Sequence, residues 1–134
     1  GVLMSRISYV NGMYCDHKDS LVHIEDRGYQ FADGVYEVFG VINKKIIDYH
    51  GHINRLYRSL EEIRLKSPIS KSSYLYHIQR LIFKNRIVDG LIYLQITRGV
   101  ASRDFKFPKN CKPSLVITAK NLLTNEYENS FKNR

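Results

Sequence analysis

Apolar and polar positions alternate along the first part of the chain, and this period of two predicts β-strands. Two short strand-like runs, residues 7–10 and 13–15, flank Asn11-Gly12. Both turn residues tolerate the positive φ that a tight hairpin requires, so this stretch predicts a β-hairpin. Residues 35–42, rich in β-branched and aromatic side chains, predict the first strand of a second hairpin, returning along residues 46–49 after a turn at 43–45.

The hydrophobic period changes after residue 50. Apolar residues then recur at steps of three and four, which predicts one face of an α-helix: Ile53, Leu56, Leu60 and Ile63. His52 and Arg55 lie on a stripe beside that face. Ser67-Pro68 is expected to end the helix, because the residue before a proline is disfavoured in the α conformation.

A second helix is expected from a cap at Ser70 or Ser72 to about Asn85. Its apolar positions are Leu75, Ile78, Leu81 and Ile82. Two further strands follow, at residues 91–98 and 114–118. This order predicts an α+β fold, a mostly antiparallel sheet with two helices packed on it. We expect residues 1–119 to form the domain and residues 120–134 to be a polar tail.

Composition narrows the class of protein. A length of 134 residues suits one domain, and no apolar run approaches the ~20 residues that span a membrane. We expect a soluble, cytoplasmic protein with free thiols at Cys15 and Cys111, and no membrane partner. The 21 basic residues exceed the 13 acidic ones, for a net charge of +8. A basic balance attracts anions such as nucleic acid, acidic lipid, phosphorylated cofactors or carboxylate substrates, but because the excess is dispersed we expect no nucleic-acid partner.

Common catalytic signatures are missing from the sequence. It has no glycine-rich nucleotide loop, no nucleophile elbow and no histidine spacing typical of a metal site, so we expect no metal. Three other segments draw attention: residues 26–38, 52–56 and 96–108. Each has a structural interpretation: a loop with Asx turns and an Arg–Asp pair, a solvated or paired helical arginine, and a basic surface loop. The last could instead clamp a carboxylate or phosphate.

Taken together, the three segments resemble a known family. Residues 26–37 read DRGYQFADGVYE, residues 52–56 read HINRL, and residues 97–99 read TRG. These blocks, followed by Arg103-Asp104 and Phe107-Pro108, resemble the class IV pyridoxal-phosphate aminotransferases, most closely their D-amino-acid (D-alanine) branch. The resemblance covers roughly residues 7 to 118. It implies the N-terminal domain of an enzyme that transfers an amino group between a D-amino acid and 2-oxoglutarate.

The resemblance also implies residue roles. Arg55 would bind the phosphate of pyridoxal phosphate, as a fixed guanidinium with parallel donors can. Tyr36 and Arg103 would hold the substrate carboxylate, the arginine loop coming from the partner subunit of a homodimer. Val38 and Tyr93 would line the substrate pocket. Phe105 departs from the pattern, because the D-amino-acid branch commonly has a histidine there.

A larger departure is length, since family members are about twice as long. The resemblance implies that the polar tail, residues 120–134, is a remnant of the linker to a second domain. Their Schiff-base lysine lies in a second domain, and none of the lysines here takes its place, so we expect no catalytic residue in this chain. Alone it should be inactive, should self-associate and should not hold pyridoxal phosphate tightly. One alternative is half of a two-chain enzyme with a separately encoded C-terminal half, either a D-amino-acid or branched-chain transaminase or an aminodeoxychorismate lyase. Another is a non-catalytic anion-binding or interaction domain.

Overall fold

The computed structural model describes residues 6–101 and 111–122. These residues form one sheet of six antiparallel strands in the order β2-β1-β6-β5-β3-β4. The strands are β1 Ile7–Val10, β2 Met13–Asp16, β3 Gly34–Ile42, β4 Lys45–Ile46, β5 Gly90–Thr97 and β6 Ser114–Asn121. The helices are α1 Arg27–Phe31, α2 Tyr49–Glu62 and α3 Lys71–Lys84, with a 3₁₀ turn at His17–Asp19. The predicted α+β fold, with two main helices on an antiparallel sheet, is confirmed.

Both predicted hairpins are present, but the second is shorter than expected. Asn11 and Gly12 have φ of 48° and 93°, as the Asn-Gly turn requires. The returning strand of the second hairpin ends at Ile46, so the prediction of a strand through residue 49 is wrong. Asp48 adopts a left-handed conformation, with φ of 51°, and directs the chain into α2 at Tyr49.

The two main helices differ in how well the sequence predicted their ends. α2 ends at Glu62, before the predicted stop at Ser67-Pro68, because Arg64 has a φ of 54° and turns the backbone. α3 follows Ser70 and ends before Asn85, as predicted. The Asn85 side-chain amide donates to the Leu81 carbonyl at 2.8 Å, and the Asn85 backbone N–H donates to the same carbonyl at 3.0 Å, so Asn85 caps the last turn twice.

The core lies between the two main helices and one face of the sheet. Its fully buried members include Phe39, Ile53, Leu56, Ile78, Leu81, Ile92, Leu94, Ile96, Leu115 and Ile117. Tyr74, which the periodicity did not select, is fully buried on α3, whereas the predicted Leu75 is half-buried. The Tyr74 hydroxyl lies 2.6 Å from Ser67 Oγ, and this hydrogen bond allows a polar atom to enter the core.

The opposite face of the sheet carries neither α2 nor α3, and its side chains are partly exposed to solvent. Along the three central strands, alternation places Tyr36, Val38, Tyr93, Gln95 and Val116 on that face. β6 continues to Asn121, across residue 119, and the division into a domain and a tail stays a prediction. Within residues 6–101 and 111–122, no helix is both long and apolar enough to cross a membrane.

Candidate functional site

Three of the predicted site residues meet on the open face of the sheet. Tyr36 lies opposite Gln95, and Val38 lies opposite Tyr93, so the two tyrosines are diagonal neighbours on adjacent strands. Tyr36 is 76% exposed and Tyr93 is 41% exposed. A shallow depression of about 280 Å³ lies between them, bounded also by Gln95, Val116 and Thr118. The structure therefore brings Tyr36, Val38 and Tyr93 onto one accessible surface.

Arg55 reaches the edge of that sheet from α2. At Glu37, β3 forms the edge of the sheet, because β4 pairs with β3 only at Val41 and Ile42. Arg55 Nε donates to Glu37 Oε1 at 2.7 Å, and Arg55 Nη2 donates to Glu37 Oε2 at 2.9 Å. The Glu37 side chain is 3% exposed and the Arg55 side chain 58% exposed. The ion pair thus joins a buried carboxylate to a guanidinium at the surface.

His52 gives Glu37 a further hydrogen bond. Its Nδ1 lies 2.9 Å from Glu37 Oε2, and since a carboxylate oxygen accepts, Nδ1 is the donor. The imidazole lies against Phe39, with ring centroids 5.1 Å apart. The Glu37 carboxylate is therefore held by three donors from one helix.

Electrostatics keep this group charged near neutral pH. Burial raises the pKa of Glu37, but hydrogen bonds and positive charge from Arg55 and His52 outweigh it, so the pKa of this carboxyl lies below its ordinary value. The hydrogen bonds and charge of Glu37 in turn raise the pKa of Arg55.

The ion pair occupies only one edge of the guanidinium. Glu37 takes the edge formed by Nε and Nη2, and Arg55 Nη1 has no hydrogen-bond partner among the described residues. An arginine in this state can hold a protein carboxylate with one edge and an anionic ligand with the other. The role of Arg55 as a phosphate ligand stays a prediction, and the structure leaves part of its guanidinium accessible to solvent.

A second carboxylate cluster lies near the start of β3. Asp33 Oδ2 accepts from Arg27 Nε at 2.8 Å and from Arg98 Nε at 2.9 Å. The Asp26 carboxylate accepts from Gly28 N at 2.8 Å, which forms an Asx turn. The predicted Asx turn and Arg–Asp pair are present, but the prediction of a loop is wrong for Arg27–Phe31, which form α1 with Asp26 as its N-cap.

Arg98 differs from expectation. Its segment was interpreted as either a ligand clamp or a basic surface loop, yet the Arg98 side chain is buried and its Nη2 donates to the Ile63 carbonyl at 2.7 Å. The helix α1 fits tightly on β5 beside this residue. A Cβ at Gly28 would lie 2.2 Å from Thr97 Cγ2, so the helix approaches the strand more closely than a larger residue would allow.

The remaining predicted residue, Arg103, lies outside the described residues, as does Phe105. A larger groove of about 940 Å³ lies elsewhere, beside Lys44, Phe83 and Val88, and none of the predicted site residues lines it. Sequence reasoning missed Glu37 as part of the site. Its signal was a charged residue on the inward face of β3, in phase with the buried residues on either side.

Comparison with known proteins identifies the family. Residues 34–130 match the class IV amino-transferase family. The D-alanine aminotransferase of Listeria monocytogenes is 43% identical over 111 residues, which cover 82% of this chain and 38% of that protein. The Staphylococcus epidermidis D-alanine aminotransferase is 38% identical over 100 residues, covering 75% of this chain and 36% of that protein. The chain belongs to the class IV aminotransferases. It spans less than two-fifths of the length of these relatives.

Solved structures agree on the fold of this aminotransferase domain. The Escherichia coli branched-chain amino acid aminotransferase gives a TM-score of 0.82 at 19% identity, covering 88% of this chain and 41% of that one. The 4-amino-4-deoxychorismate lyase of Pseudomonas aeruginosa gives 0.67 at 21% identity, covering 85% and 39%. At such identities the likeness shows the fold alone. The family uses pyridoxal phosphate.

Proposed function

We propose that this chain supplies the phosphate-binding and substrate-facing part of a D-amino-acid transaminase, which transfers an amino group between a D-amino acid such as D-alanine and 2-oxoglutarate. The observation that carries the proposal is Arg55, whose guanidinium is held on one edge by Glu37 and is open on the other. The 43% identity to a D-alanine aminotransferase supports this branch of the family over the branched-chain and lyase branches.

The chain's residues fit the phosphate of pyridoxal phosphate. The Arg55 guanidinium is permanently charged, and its two Nη1–H donors, which Glu37 does not use, can bind a phosphate dianion. Its position at the edge of the sheet leaves it accessible to solvent. When bound, pyridoxal phosphate supplies the electron-withdrawing ring that makes the substrate Cα–H acidic. The protein's share is to bind, orient and choose the substrate.

The open face of the sheet would do that work. The Tyr36 hydroxyl donates to the substrate carboxylate, while Val38 and Tyr93 bound the space for the substrate side chain. Arg103, contributed by the partner subunit of a homodimer, helps to hold the same carboxylate. Phe105 cannot donate a hydrogen bond, so the carboxylate is held by fewer donors than in relatives that have histidine there.

Turnover also requires a lysine to carry the cofactor and move the Cα proton. Within the proposal, a polypeptide of these 134 residues holds pyridoxal phosphate weakly, self-associates and is inactive. Activity requires a second half that supplies this lysine, as a continuation of the chain or as a separate subunit. The acting assembly is cytoplasmic.

A chimera tests the proposal. Residues 1–119 would be joined to the remaining part of the Listeria monocytogenes D-alanine aminotransferase, and turnover of D-alanine with 2-oxoglutarate measured beside that of branched-chain L-amino acids. We expect the chimera to use D-alanine, the 134-residue chain to be inactive, and Tyr36→Phe to raise KM for D-alanine. Turnover by the 134-residue chain alone, or a chimera that prefers branched-chain L-amino acids, would overturn the assignment.

A further inference from the structure

Glu37 stands in an unexpected place for a carboxylate. It is buried directly behind the guanidinium that the proposed function assigns to an anion, and a negative charge there repels that anion. Three hydrogen bonds nevertheless hold it in place, two from Arg55 and one from His52. Because the Glu37 charge weakens the attraction of Arg55 for an anion, any help that Glu37 gives to anion binding must come from a different effect.

We propose that Glu37 is a positioning residue, which fixes the plane of the Arg55 guanidinium so that its Nη1 edge faces a phosphate monoester. This inference rests on the proposed function of Arg55. It assigns a different partner to each edge of the Arg55 guanidinium: Glu37 binds the Nε–Nη2 edge, and the ligand binds the edge that includes Nη1.

The geometry supports a fixed platform. Arg55 is long and more than half exposed, so without a partner it would sample many rotamers and lose that freedom on binding. Glu37 cannot follow it, because the carboxylate is buried in the sheet and is also bound by His52, whose ring lies against Phe39. The entropy of ordering Arg55 is thus lost on folding, before any ligand arrives.

The positioning role of Glu37 and a purely electrostatic role predict opposite effects of Glu37→Gln on anion binding. If Glu37 only lowered the positive potential around Arg55, then Glu37→Gln would tighten anion binding. If Glu37 positions Arg55, the same change weakens binding, since freezing one long side chain accounts for about a two- to tenfold change in affinity. Glu37→Asp separates the two further, because it keeps the charge but draws the carboxylate back by one methylene.

The test is titration of the 134-residue chain with inorganic phosphate and with pyridoxine 5′-phosphate, which has no aldehyde to react with lysines. NMR would follow the backbone amides and the Arg55 Nε–H signal. We expect Glu37→Gln and Glu37→Asp each to weaken binding about two- to tenfold and to move the Arg55 Nε–H signal toward that of a solvated arginine. The matched control is Arg58→Ala, which removes the same charge as Arg55→Ala from an exposed position on α2.

The outcomes separate this inference from the proposed function. If Arg55→Ala binds both probes as Arg58→Ala does, the phosphate assignment of Arg55 fails and the role of Glu37 fails with it. If Arg55→Ala loses binding while Glu37→Gln binds equally or more tightly, only the positioning role is overturned. Should Glu37→Gln not fold, Glu37→Asp decides alone, and wild-type affinity in that variant overturns the proposal.

Discussion

Two carboxylates four residues apart, Asp33 and Glu37, are each held by two basic side chains. At Asp33 both partners are arginines, Arg27 and Arg98, and their side chains are only 6% and 5% exposed. At Glu37 the arginine lies at the surface. The same ion-pair chemistry therefore closes a loop at one site and leaves a cation accessible at the other.

Burial of the cation separates the two roles. Arg98 also donates to a backbone carbonyl on the turn after α2, so its guanidinium serves within the protein interior. Arg55 uses one edge for Glu37 and presents the rest of its guanidinium to solvent. In this protein an arginine paired to a carboxylate is a candidate ligand only where part of its guanidinium stays accessible.

The largest effect, a fall in the free energy of unfolding, should follow from removing the Asp33 carboxylate, whose partners Arg27 and Arg98 are both buried. Asp33→Ala leaves two buried guanidinium groups without their shared carboxylate, and losing one partner of a buried pair costs about 3–5 kcal/mol. Urea denaturation followed by circular dichroism would measure the change in the free energy of unfolding. The matched variant is Glu37→Gln, for which we expect a smaller loss because Arg55 can be hydrated. A loss at Asp33 below that at Glu37 would contradict the comparison.

The next effect should appear in ligand binding. Arg55→Ala removes charge-assisted hydrogen bonds worth about 1.5–3 kcal/mol, so phosphate affinity should fall by about 10- to 100-fold. Arg27→Ala should lower stability and leave the phosphate affinity of the folded protein within about twofold, because that guanidinium is enclosed. NMR titration with inorganic phosphate measures both. Equal losses of affinity in the two variants would remove the distinction between the clusters.

A fall in pH should weaken the ion pairs of both Asp33 and Glu37. Burial raises the pKa of Asp33, but the hydrogen bonds and charges of Arg27 and Arg98 outweigh it, and its pKa lies below the ordinary value, as that of Glu37 does. A carboxyl whose pKa is lowered by folding stabilises the protein above its unfolded pKa of about 4. That contribution is lost as the pH falls through the folded pKa.

Urea denaturation at pH values from about 6 down to about 3 would test this, because the interval spans the ordinary carboxyl pKa. The stability difference between wild type and Asp33→Asn should shrink as the pH falls. A difference that stays constant over the interval would show that the lowered pKa of Asp33 does not contribute.

The smallest effect is expected at Arg58. This arginine is exposed on the same helix as Arg55, so Arg58→Ala should change the free energy of unfolding by less than about 0.5 kcal/mol. Phosphate binding should change only through the loss of one screened surface charge. A fall in affinity comparable to that of Arg55→Ala would mean that the helix surface, and not the held guanidinium, attracts the anion.

Some of this architecture could be predicted from short-range patterns. The Asn11-Gly12 hairpin, the apolar face of α2 and the alternation along β5 depend on neighbours within a few residues, and each is found as expected. Placing Tyr36 and Val38 on one face also followed from the period of a strand. The ends of elements were harder, because Asp48 and Arg64 turn the chain in left-handed conformations that no local pattern indicated.

The amino-acid sequence by itself determined the long strands, the two main helices, the family and the side of the sheet that carries the tyrosines, but not the short helix α1. Only the tertiary structure decided which arginine is enclosed and which is accessible. Arg98 and Asp33 are 65 residues apart, and Arg55 and Glu37 are 18 apart, so each pairing depends on strand register and on how helices pack on the sheet. Charge and hydropathy are local properties, whereas solvent access to a guanidinium is set by everything that surrounds it.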